Sequence, residues 1–483
     1  MASAATERIT ASAWEPLRVP LFRALWIATI ASNIGVLLQN VGAGWLMTSL
    51  TPSPRMAALV QTAMSLPIFL LALPAGAIAD IVDRRKILIF SQTWMLVAAG
   101  LLGALTLTDL TGPIPLLLLT FAMGMGYALS APAYQAIIPE LVPGPQVASA
   151  VALNSLGFNM ARAVGPALGG LIIAAFGPGA AFLLNAISYL GVIVVLHRWQ
   201  RPSVESVLPA ERMVGAIRSG LRYMHNAPDV QAIFLRSAPF ILFASALWAL
   251  LPVIARFELG RGPGGYGSLL AFFGVGAVTG AIFMPRLRRT MDLNDMLTVA
   301  GLLYSLTLLM LAWLHDFTWA CIAMMLGGIA WIIIIPSVTA CLQAAVPSRI
   351  RGRIMSMSVL VLFGGITFGS ALWGNIAAHF SVRIALGLAG MGVIAATFAT
   401  RTLRLPASQG PYIGPAPDWP APAWTPDVEQ SPVFVTVEYR IDALRGREFI
   451  AAMQAVRRIR RRDGAVEWDL LNDAADPVRF VES

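Results

Sequence analysis

The chain has 483 residues, of which 57% are hydrophobic and only 12% charged, and its formal net charge is +9 at pH 7. Soluble domains average about 45–50% apolar and about 25% charged residues, so this composition excludes a soluble multidomain enzyme. Between Leu21 and Thr400 the charges come in short clusters, separated by apolar stretches of about 20 residues, which is the length of a membrane-spanning helix. The sequence therefore predicts an all-α polytopic membrane protein.

Twelve membrane-spanning helices are predicted along this region. Before them, residues 1–20 carry charges and lack the apolar core of a cleavable signal peptide, so they are predicted to form a cytoplasmic N-terminal segment. The predicted spans are 22–47, 57–79, 87–107, 113–137, 147–175, 179–197, 230–254, 265–284, 296–314, 318–342, 355–378 and 384–400.

The basic residues of the loops predict the orientation of these spans. Counted on alternate loops, 19 Lys and Arg lie on the side of the N-terminus and four on the opposite side. Because basic loops stay on the cytoplasmic side, both termini are predicted to be cytoplasmic. The positive charge, with its pI of about 10.2, is thus explained by topology, and no nucleic-acid partner is expected.

The two halves of the chain resemble each other at an offset of 204 residues. This offset matches Gly76-Ala77-Ile78 to Gly280-Ala281-Ile282, and Pro132 to Pro336. Chance similarity between membrane sequences is one explanation. The other is a duplication, which gives two parallel six-helix halves, 21–198 and 229–404, joined by a basic amphipathic cytoplasmic linker at 199–228.

The character of the sequence changes after the last span. Residues 405–432 contain eight prolines and are predicted to be an extended linker. Residues 433–483 follow as a small cytoplasmic β-α-β segment, with strands at 433–441 and 466–471 around a basic helix at 444–462. Such a segment is too short for a stable core of its own, so it is predicted to self-associate or to dock on the rest of the protein.

A short motif closes the second span. The run from Gly76 to Arg85, Gly-Ala-Ile-Ala-Asp-Ile-Val-Asp-Arg-Arg, resembles the loop signature of the major facilitator superfamily, Gly-x-Leu-Ala-Asp-Arg-x-Gly-Arg-Arg. The resemblance implies that Gly76, Asp80, Arg84 and Arg85 form a cytoplasmic gate. Asp83 stands where the signature has glycine and would add a second carboxylate. For the arginines, the alternative is that they are only part of the general excess of basic residues in cytoplasmic loops.

Further matches support the same family. Gly165-Pro166-Ala167-Leu168-Gly169-Gly170 resembles the end of its antiporter motif, although close helix packing explains these glycines equally well. Leu21–Trp26, Ser32–Gly35, Asn159–Pro166 and Arg351-Gly352-Arg353 resemble the bacterial branch that includes the enterobactin exporter and multidrug effluxers, of the transmembrane secretion effector type. The tail resembles part of a ferredoxin-like domain of the antibiotic-biosynthesis-monooxygenase type.

The resemblance also implies where a substrate would bind. In this fold the first, fourth, seventh and tenth spans line a central cavity, and buried polar residues in a membrane are candidates for function. Arg162 lies about 22 Å into the fifth span, near the midplane; it either pairs with a buried acceptor or binds an anionic substrate group. For the other candidates there are structural alternatives: buried amides can bridge neighbouring helices, and tryptophans can lie at the membrane interface. The cavity candidates are Asn33, Gln39, Asn40, Tyr127, Ser130, Tyr134, Asn159, Arg162, Trp248 and Trp331.

Proton coupling is harder to predict, because no span interior contains Asp or Glu. The coupling candidates are therefore two carboxylates at the cytoplasmic rim, Glu140 and Asp80. The alternative is facilitated efflux without protons.

These observations predict a transporter in the bacterial inner membrane that exports small amphipathic molecules, such as drugs or siderophores, by alternating access. Its expected partners are the bilayer, a small-molecule substrate and, if coupled, protons. Two alternatives stay open: transport of lysophospholipids, and a membrane-anchored protein whose tail senses or catalyses. No nucleotide motif, metal-ligand spacing or catalytic constellation occurs, so no cofactor, no metal and no enzymatic activity are expected.

Overall fold

A computed structural model describes residues 14–199, 213–403, 405, 434–442, 445–463, 465 and 467–483. The side chains of a few helical residues, among them Asp80, are outside this description, as is most of the predicted linker at 405–432. The described residues are mainly helical, and 11 helices are long and apolar enough to cross a membrane. The predicted polytopic helical architecture is confirmed at this level.

The helices follow one another through short connections. Many begin at proline, which has no N–H to leave unpaired in the first turn. Their bounds are α1 Pro20–Leu50, α2 Pro54–Ile81, α3 Arg84–Leu107, α4 Pro113–Leu141, α5 Val147–Arg198, α6 Met213–Asn226, α7 Pro228–Val253, α8 Pro263–Thr290, α9 Leu293–Trp313, α10 Phe317–Ala345, α11 Ser348–His379, α12 Val382–Ala399 and α13 Gly446–Asp463.

Helix α5 covers both the fifth and the sixth predicted spans. At Gly177 its backbone has φ +79° and ψ 170°, a conformation open almost only to glycine, and Pro178 follows. The helix therefore breaks at this point into a first arm, 147–176, and a second arm, 178–198. This break explains why 11 long helices are observed where 12 spans are predicted.

The internal repeat is less regular than a single offset suggests. Helices α4 and α10 both span 29 residues and begin 204 positions apart, at Pro113 and Phe317. Helices α2 and α8, however, begin at Pro54 and Pro263, which are 209 positions apart. The match of Gly76 to Gly280 at an offset of 204 therefore pairs different turns of these two helices, and that part of the gapless repeat is wrong.

We call the helices α1–α5 the N-half and α7–α12 the C-half. Their helices alternate in direction, and the connections α2–α3, α4–α5 and α8–α9 define what we call the basic end of the bundle. The α1–α2 and α3–α4 connections and the Gly177 break define the far end. At the basic end, the Asp83 carboxylate caps α3 by accepting from the N–H groups of Arg85 and Lys86.

The halves meet in the part of the bundle toward the far end. Gly170 of α5 lies against Gly267 of α8 so closely that a Cβ on Gly170 would be 2.7 Å from the Gly267 Cα atom. Helices α2 and α11 meet in the corresponding place, where the Thr367 hydroxyl lies 2.8 Å from the Ser65 hydroxyl. Gly165 and Gly169 approach Leu37 and Val41 of α1. The predicted close helix packing at these glycines is confirmed.

A second compact unit contains the described residues of Glu211–Phe234, Ala340–Met355 and Leu405–Ser483. Within it α13 packs on α6, and the Arg462 guanidinium lies 5.3 Å from the centre of the Tyr223 ring. The predicted docking of the tail is thus observed on α6, while self-association remains a prediction.

The tail has one strand more than predicted. Its antiparallel sheet has the order β1-β3-β2, with β1 at Val437–Arg440, β2 at Leu470–Asn472 and β3 at Arg479–Glu482. Helix α13 covers one face, where the Phe449 ring packs on Tyr439 and Phe480. The prediction of a β-α-β segment was wrong in ending before β3, because the central strand of the sheet is the last one in the sequence.

Candidate functional site

A cavity of about 390 Å³ lies within the N-half, between α1, α3, α4 and the two arms of α5. Twelve of its 17 lining side chains are polar, and none of these 17 is charged. Ligand cavities have volumes of about 300–1,000 Å³ and owe their specificity to a few placed polar groups. The amides in the wall are Asn33, Gln92, Gln135, Asn154 and Asn159; the hydroxyls are Thr29, Ser32, Tyr127, Ser130, Tyr134, Ser155 and Tyr189.

Five of the predicted cavity residues line this wall together: Asn33, Tyr127, Ser130, Tyr134 and Asn159. The Tyr134 hydroxyl donates to the Asn154 Oδ1 atom at 3.1 Å, which links α4 to α5. The Ser130 hydroxyl donates to the Tyr127 carbonyl at 3.1 Å, and the Asn159 amide donates to the Ser155 carbonyl at 2.9 Å. Tyr127, Ser130 and Tyr134 are three and four positions apart on α4, so they lie on the side of this helix that lines the cavity.

The other two candidates on α1 do not line the wall. Gln39 is 2% exposed and lies behind it, where its Oε1 atom accepts from the Asn185 amide at 3.4 Å. The same Asn185 amide donates to the Tyr189 hydroxyl at 3.4 Å, so this pair supports a wall residue. Asn40 is exposed and is not part of the wall. Gln39 is therefore a supporting residue in this structure.

Arg162 lies one turn beyond the wall residue Phe158 on the first arm of α5. Its side chain is exposed, and its guanidinium lies 5.7 Å from the centre of the Phe158 ring. Arg162 thus lies beside an aromatic residue of the cavity wall, and its two alternative roles, pairing with a buried acceptor and binding an anionic substrate group, both stay predictions.

Trp248 and Trp331 belong instead to an aromatic cluster inside the C-half. Their rings meet edge to face with centroids 5.7 Å apart, and Trp331 is 7% exposed. Phe273 packs on Trp248, while Phe240 and Tyr304 pack on Trp331. The described cavity contains no residue of the C-half. Trp248 and Trp331 therefore pack with other aromatic rings and are not part of the N-half cavity wall, and their contact with a substrate stays a prediction.

Sequence reasoning missed several wall residues, above all Gln92 on α3 and Tyr189 on the second arm of α5. The prediction considered four spans as cavity-lining, and these residues are on the third and sixth. One signal was present in the sequence: helices α1–α5 contain nine Asn and Gln, and α7–α12 contain four, all of which lie within four residues of a helix end. Hydrogen-bonding capacity is concentrated in the N-half.

The predicted gate residues hold the basic end of the N-half together. The Arg84 guanidinium donates to the Glu140 carboxylate at 2.8 Å and to the Ala136 carbonyl at 3.2 Å, which joins α3 to α4. The Arg85 guanidinium donates to the Leu196 carbonyl at 2.7 Å at the end of α5. A Cβ on Gly76 would meet nothing within 4 Å. The Asp80 side chain lies outside the described residues.

Comparison of the sequence with protein families gives a match over nearly the whole chain. The profile of the family described as transmembrane secretion effector matches residues 11–483. The chain belongs to this family.

Named relatives agree with this membership. The chain is 23% identical to the staphyloferrin A transporter of Staphylococcus aureus over 379 residues, which are 77% of this chain and 94% of that protein. It is 24% identical over 387 residues to the enterobactin exporter EntS of Escherichia coli, over 78% of this chain and 89% of the exporter. The relatives are transporters, and this member of the family is a membrane transporter, not an enzyme.

Solved structures show the same fold at low identity. A nucleoside transporter, NupG, superposes with a TM-score of 0.65 at 11% identity, over 79% of this chain and 99% of that one. A peptide transporter of the POT family gives a TM-score of 0.64 at 12% identity, over 78% of this chain and 94% of that one. The fold is therefore that of major facilitator transporters. The predicted monooxygenase-like tail is not supported by these comparisons, and we withdraw it.

Proposed function

We propose that this protein exports small amphipathic organic molecules of the siderophore or drug type across the bacterial inner membrane, and that the N-half cavity binds them. The observation that carries the proposal is the composition of the cavity wall, in which uncharged amides and hydroxyls surround about 390 Å³ beside the cation Arg162. Such a wall suits a molecule with several neutral hydrogen-bonding groups. The names of the staphyloferrin A and enterobactin relatives support the siderophore class.

Alternating access of the two halves is the transport mechanism that we propose. Counted with α5 as two spans, the chain crosses the membrane twelve times, with both termini and the basic end in the cytoplasm. The contacts at Gly170–Gly267 and Ser65–Thr367 then close the far side, and the cavity lies toward the cytoplasm. Transport requires these contacts to open while the basic end closes through Asp80, Arg84 and Arg85.

The coupling step that we propose uses the rim carboxylates. In this proposal a proton transferred to Glu140 breaks its ion pair with Arg84, which joins α3 to α4. Protonation thus loosens the basic end of the N-half, which is a direct way for a proton to change the gate. Facilitated efflux remains the competing mechanism.

The test of the proposed function is export in a host that lacks its own drug and siderophore exporters. Cells expressing the chain should release enterobactin or staphyloferrin A faster than cells with an empty vector, or should resist compounds of an amphipathic drug panel. A variant that lacks residues 405–483 is measured alongside. Equal release and equal growth of expressing and control cells would contradict export of this class. If the variant without residues 405–483 loses all export, the tail is required for the function.

A further inference from the structure

We propose that Gln92 on α3 determines the specificity of this cavity by accepting a hydrogen bond from a neutral hydroxyl or amide N–H of the substrate. This inference rests on the proposed function, because it takes the N-half cavity as the binding site. It assigns to α3 a role in recognition, and it defines the chemistry of the substrate group that meets Gln92.

Gln92 combines burial, position and an unmet hydrogen bond. It is 8% exposed, it lies in the cavity wall next to Met95, and its Oε1 atom has no hydrogen-bond partner among the described residues. A buried carbonyl oxygen without a partner is unfavourable, and natural structures retain such groups chiefly where a ligand, an ion or a functional rearrangement satisfies them. The oxygen is itself buried, so the proposal requires the terminal amide to rotate before it can accept from a molecule in the cavity.

Other amides of this region are engaged within the protein. The Asn154 oxygen accepts from Tyr134, the Asn159 amide donates to the Ser155 carbonyl, and the Asn185 amide donates to Gln39. These residues stiffen the wall through bonds between or along helices. Among the five amides of the wall, Gln92 is the one with a buried oxygen that has no partner in the described part of the chain.

The surroundings restrict what that donor can be. No charged side chain lies among the 17 lining residues, so an ionised group at Gln92 would lose its hydration without a counter-charge. Elsewhere, Arg162 and the Phe158 ring suit an acidic group and an aromatic ring. The substrate class is therefore a molecule that has an aromatic or acidic part and, apart from it, a neutral hydroxyl or N–H.

The experiment compares two probes that differ by one hydroxyl group, 4-(hydroxymethyl)benzoate and 4-methylbenzoate. Both have an aromatic ring and a carboxylate, and calorimetry on the full chain in nanodiscs measures their affinities. We expect the wild-type protein to bind 4-(hydroxymethyl)benzoate about tenfold more tightly, since one good hydrogen bond to a buried acceptor is worth about that factor. The variant Gln92→Met, similar in length but without the amide, should bind both probes equally.

Two further variants guard against a folding defect. Gln92→Glu keeps an acceptor oxygen at the same place and should keep a preference for the hydroxyl probe. Gln61→Met on α2 makes the same substitution at a residue that is not in the cavity wall, and it should behave as the wild type. A preference that survives in Gln92→Met, or that is absent from the wild type, overturns the role of Gln92. Failure of both probes to bind at millimolar concentration overturns the substrate class.

The same preparation separates this inference from the proposed function. Enterobactin transport is measured in proteoliposomes made from each variant. If the wild type shows the hydroxyl preference but transports no siderophore or drug, the proposed function fails and the assignment of Gln92 stands. If transport occurs and the preference is insensitive to Gln92, the proposed function stands and the assignment fails.

Discussion

The guanidinium of Arg256 donates a hydrogen bond to the hydroxyl of Ser49 at 2.6 Å, so that one side chain joins the C-half to the N-half at the far end. The same guanidinium lies 5.1 Å from the centre of the Trp45 ring, and it projects from a π-helical turn at Ile254–Glu258 that ends α7. A cation held by a hydroxyl and a ring at once is well placed to latch this end.

We therefore predict that Arg256→Ala loosens the far end. A cation–π contact is worth about 0.5–2 kcal/mol, and its loss together with the hydrogen bond should shift the population toward the state open at this end. The measurement is the labelling rate of a cysteine at Asn33 by a membrane-impermeant maleimide added from outside. It should rise several-fold in Arg256→Ala. Arg55→Ala, at the same end, is the control, and an unchanged rate in Arg256→Ala contradicts the latch.

The close approach of α5 and α8 predicts an unusual cost for a small substitution. Alanine in a helix is ordinarily favoured over glycine by about 0.5–1 kcal/mol. At Gly170, however, the new Cβ would lie 2.7 Å from the Gly267 Cα atom, and overpacking of backbone costs about 1–3 kcal/mol. Gly170→Ala should therefore lower the melting temperature and slow transport.

The matched control for this prediction is Gly264→Ala, one turn earlier on α8, where a Cβ would meet nothing within 4 Å. This variant should be neutral or slightly stabilised. If both alanine variants melt at the wild-type temperature, α5 and α8 do not approach each other this closely at Gly170.

The ion pair between Arg84 and Glu140 leads to a prediction about coupling. With the two side chains 28% and 20% exposed, the pair contributes only about 0.2–1 kcal/mol to stability, so its loss should not unfold the protein. In proteoliposomes, the double variant Glu140→Gln, Asp80→Asn should transport at equal rates with and without a pH gradient. If transport by this variant still requires a pH gradient, both the rim-carboxylate mechanism and the facilitator mechanism are contradicted.

The tail carries a buried carboxylate whose titration should be measurable. Burial alone raises the pKa of Glu482, but hydrogen bonds from Arg460, Tyr439 and Trp468 outweigh it and hold this pKa below its usual range. A lowered pKa in the folded state adds stability above the ordinary pKa of glutamate, about 4.3, and this stability is lost as the pH falls through the folded value.

Hydrogen exchange of the tail amides in the full chain checks this prediction. Protection of β1 and β3 should fall as the pH is lowered below about 4, after correction for the intrinsic exchange rate. Glu482→Gln should weaken protection already at neutral pH and remove the acid dependence. Glu438→Gln, which loses an exposed ion pair to Arg479, should leave the acid dependence in place. If the protection of Glu482→Gln still falls at low pH, a group other than Glu482 causes the acid dependence.

Much of the helical framework follows from the sequence because hydrophobic length and the distribution of arginines constrain each span separately. Asn33, Tyr127, Ser130, Tyr134 and Asn159 reach one cavity because helical spacing fixes the side of the helix on which they lie.

Other features depend on packing between helices, which one sequence pattern does not record. In helices that are apolar all round, no periodicity distinguishes a ring that faces a cavity from one that packs in a core, and so the sequence did not predict that Trp248 and Trp331 pack on each other. Gln92 was missed because its role depends on how α3 packs beside α4 and α5. Strand β3 was missed because it pairs with residues more than 40 positions earlier, Val437 with Glu482 among them.

Binding of substrate in the N-half cavity is tested most directly by protection of a single cysteine. In a chain with both native cysteines replaced by alanine, Asn33→Cys places a thiol in the cavity wall, and Thr279→Cys places one on α8 away from it. We predict that enterobactin slows the reaction of Asn33→Cys with N-ethylmaleimide by about tenfold at concentrations about tenfold above its dissociation constant, and leaves Thr279→Cys unchanged. Equal labelling of Asn33→Cys with and without enterobactin, in a preparation that transports it, would contradict the N-half cavity as the binding site.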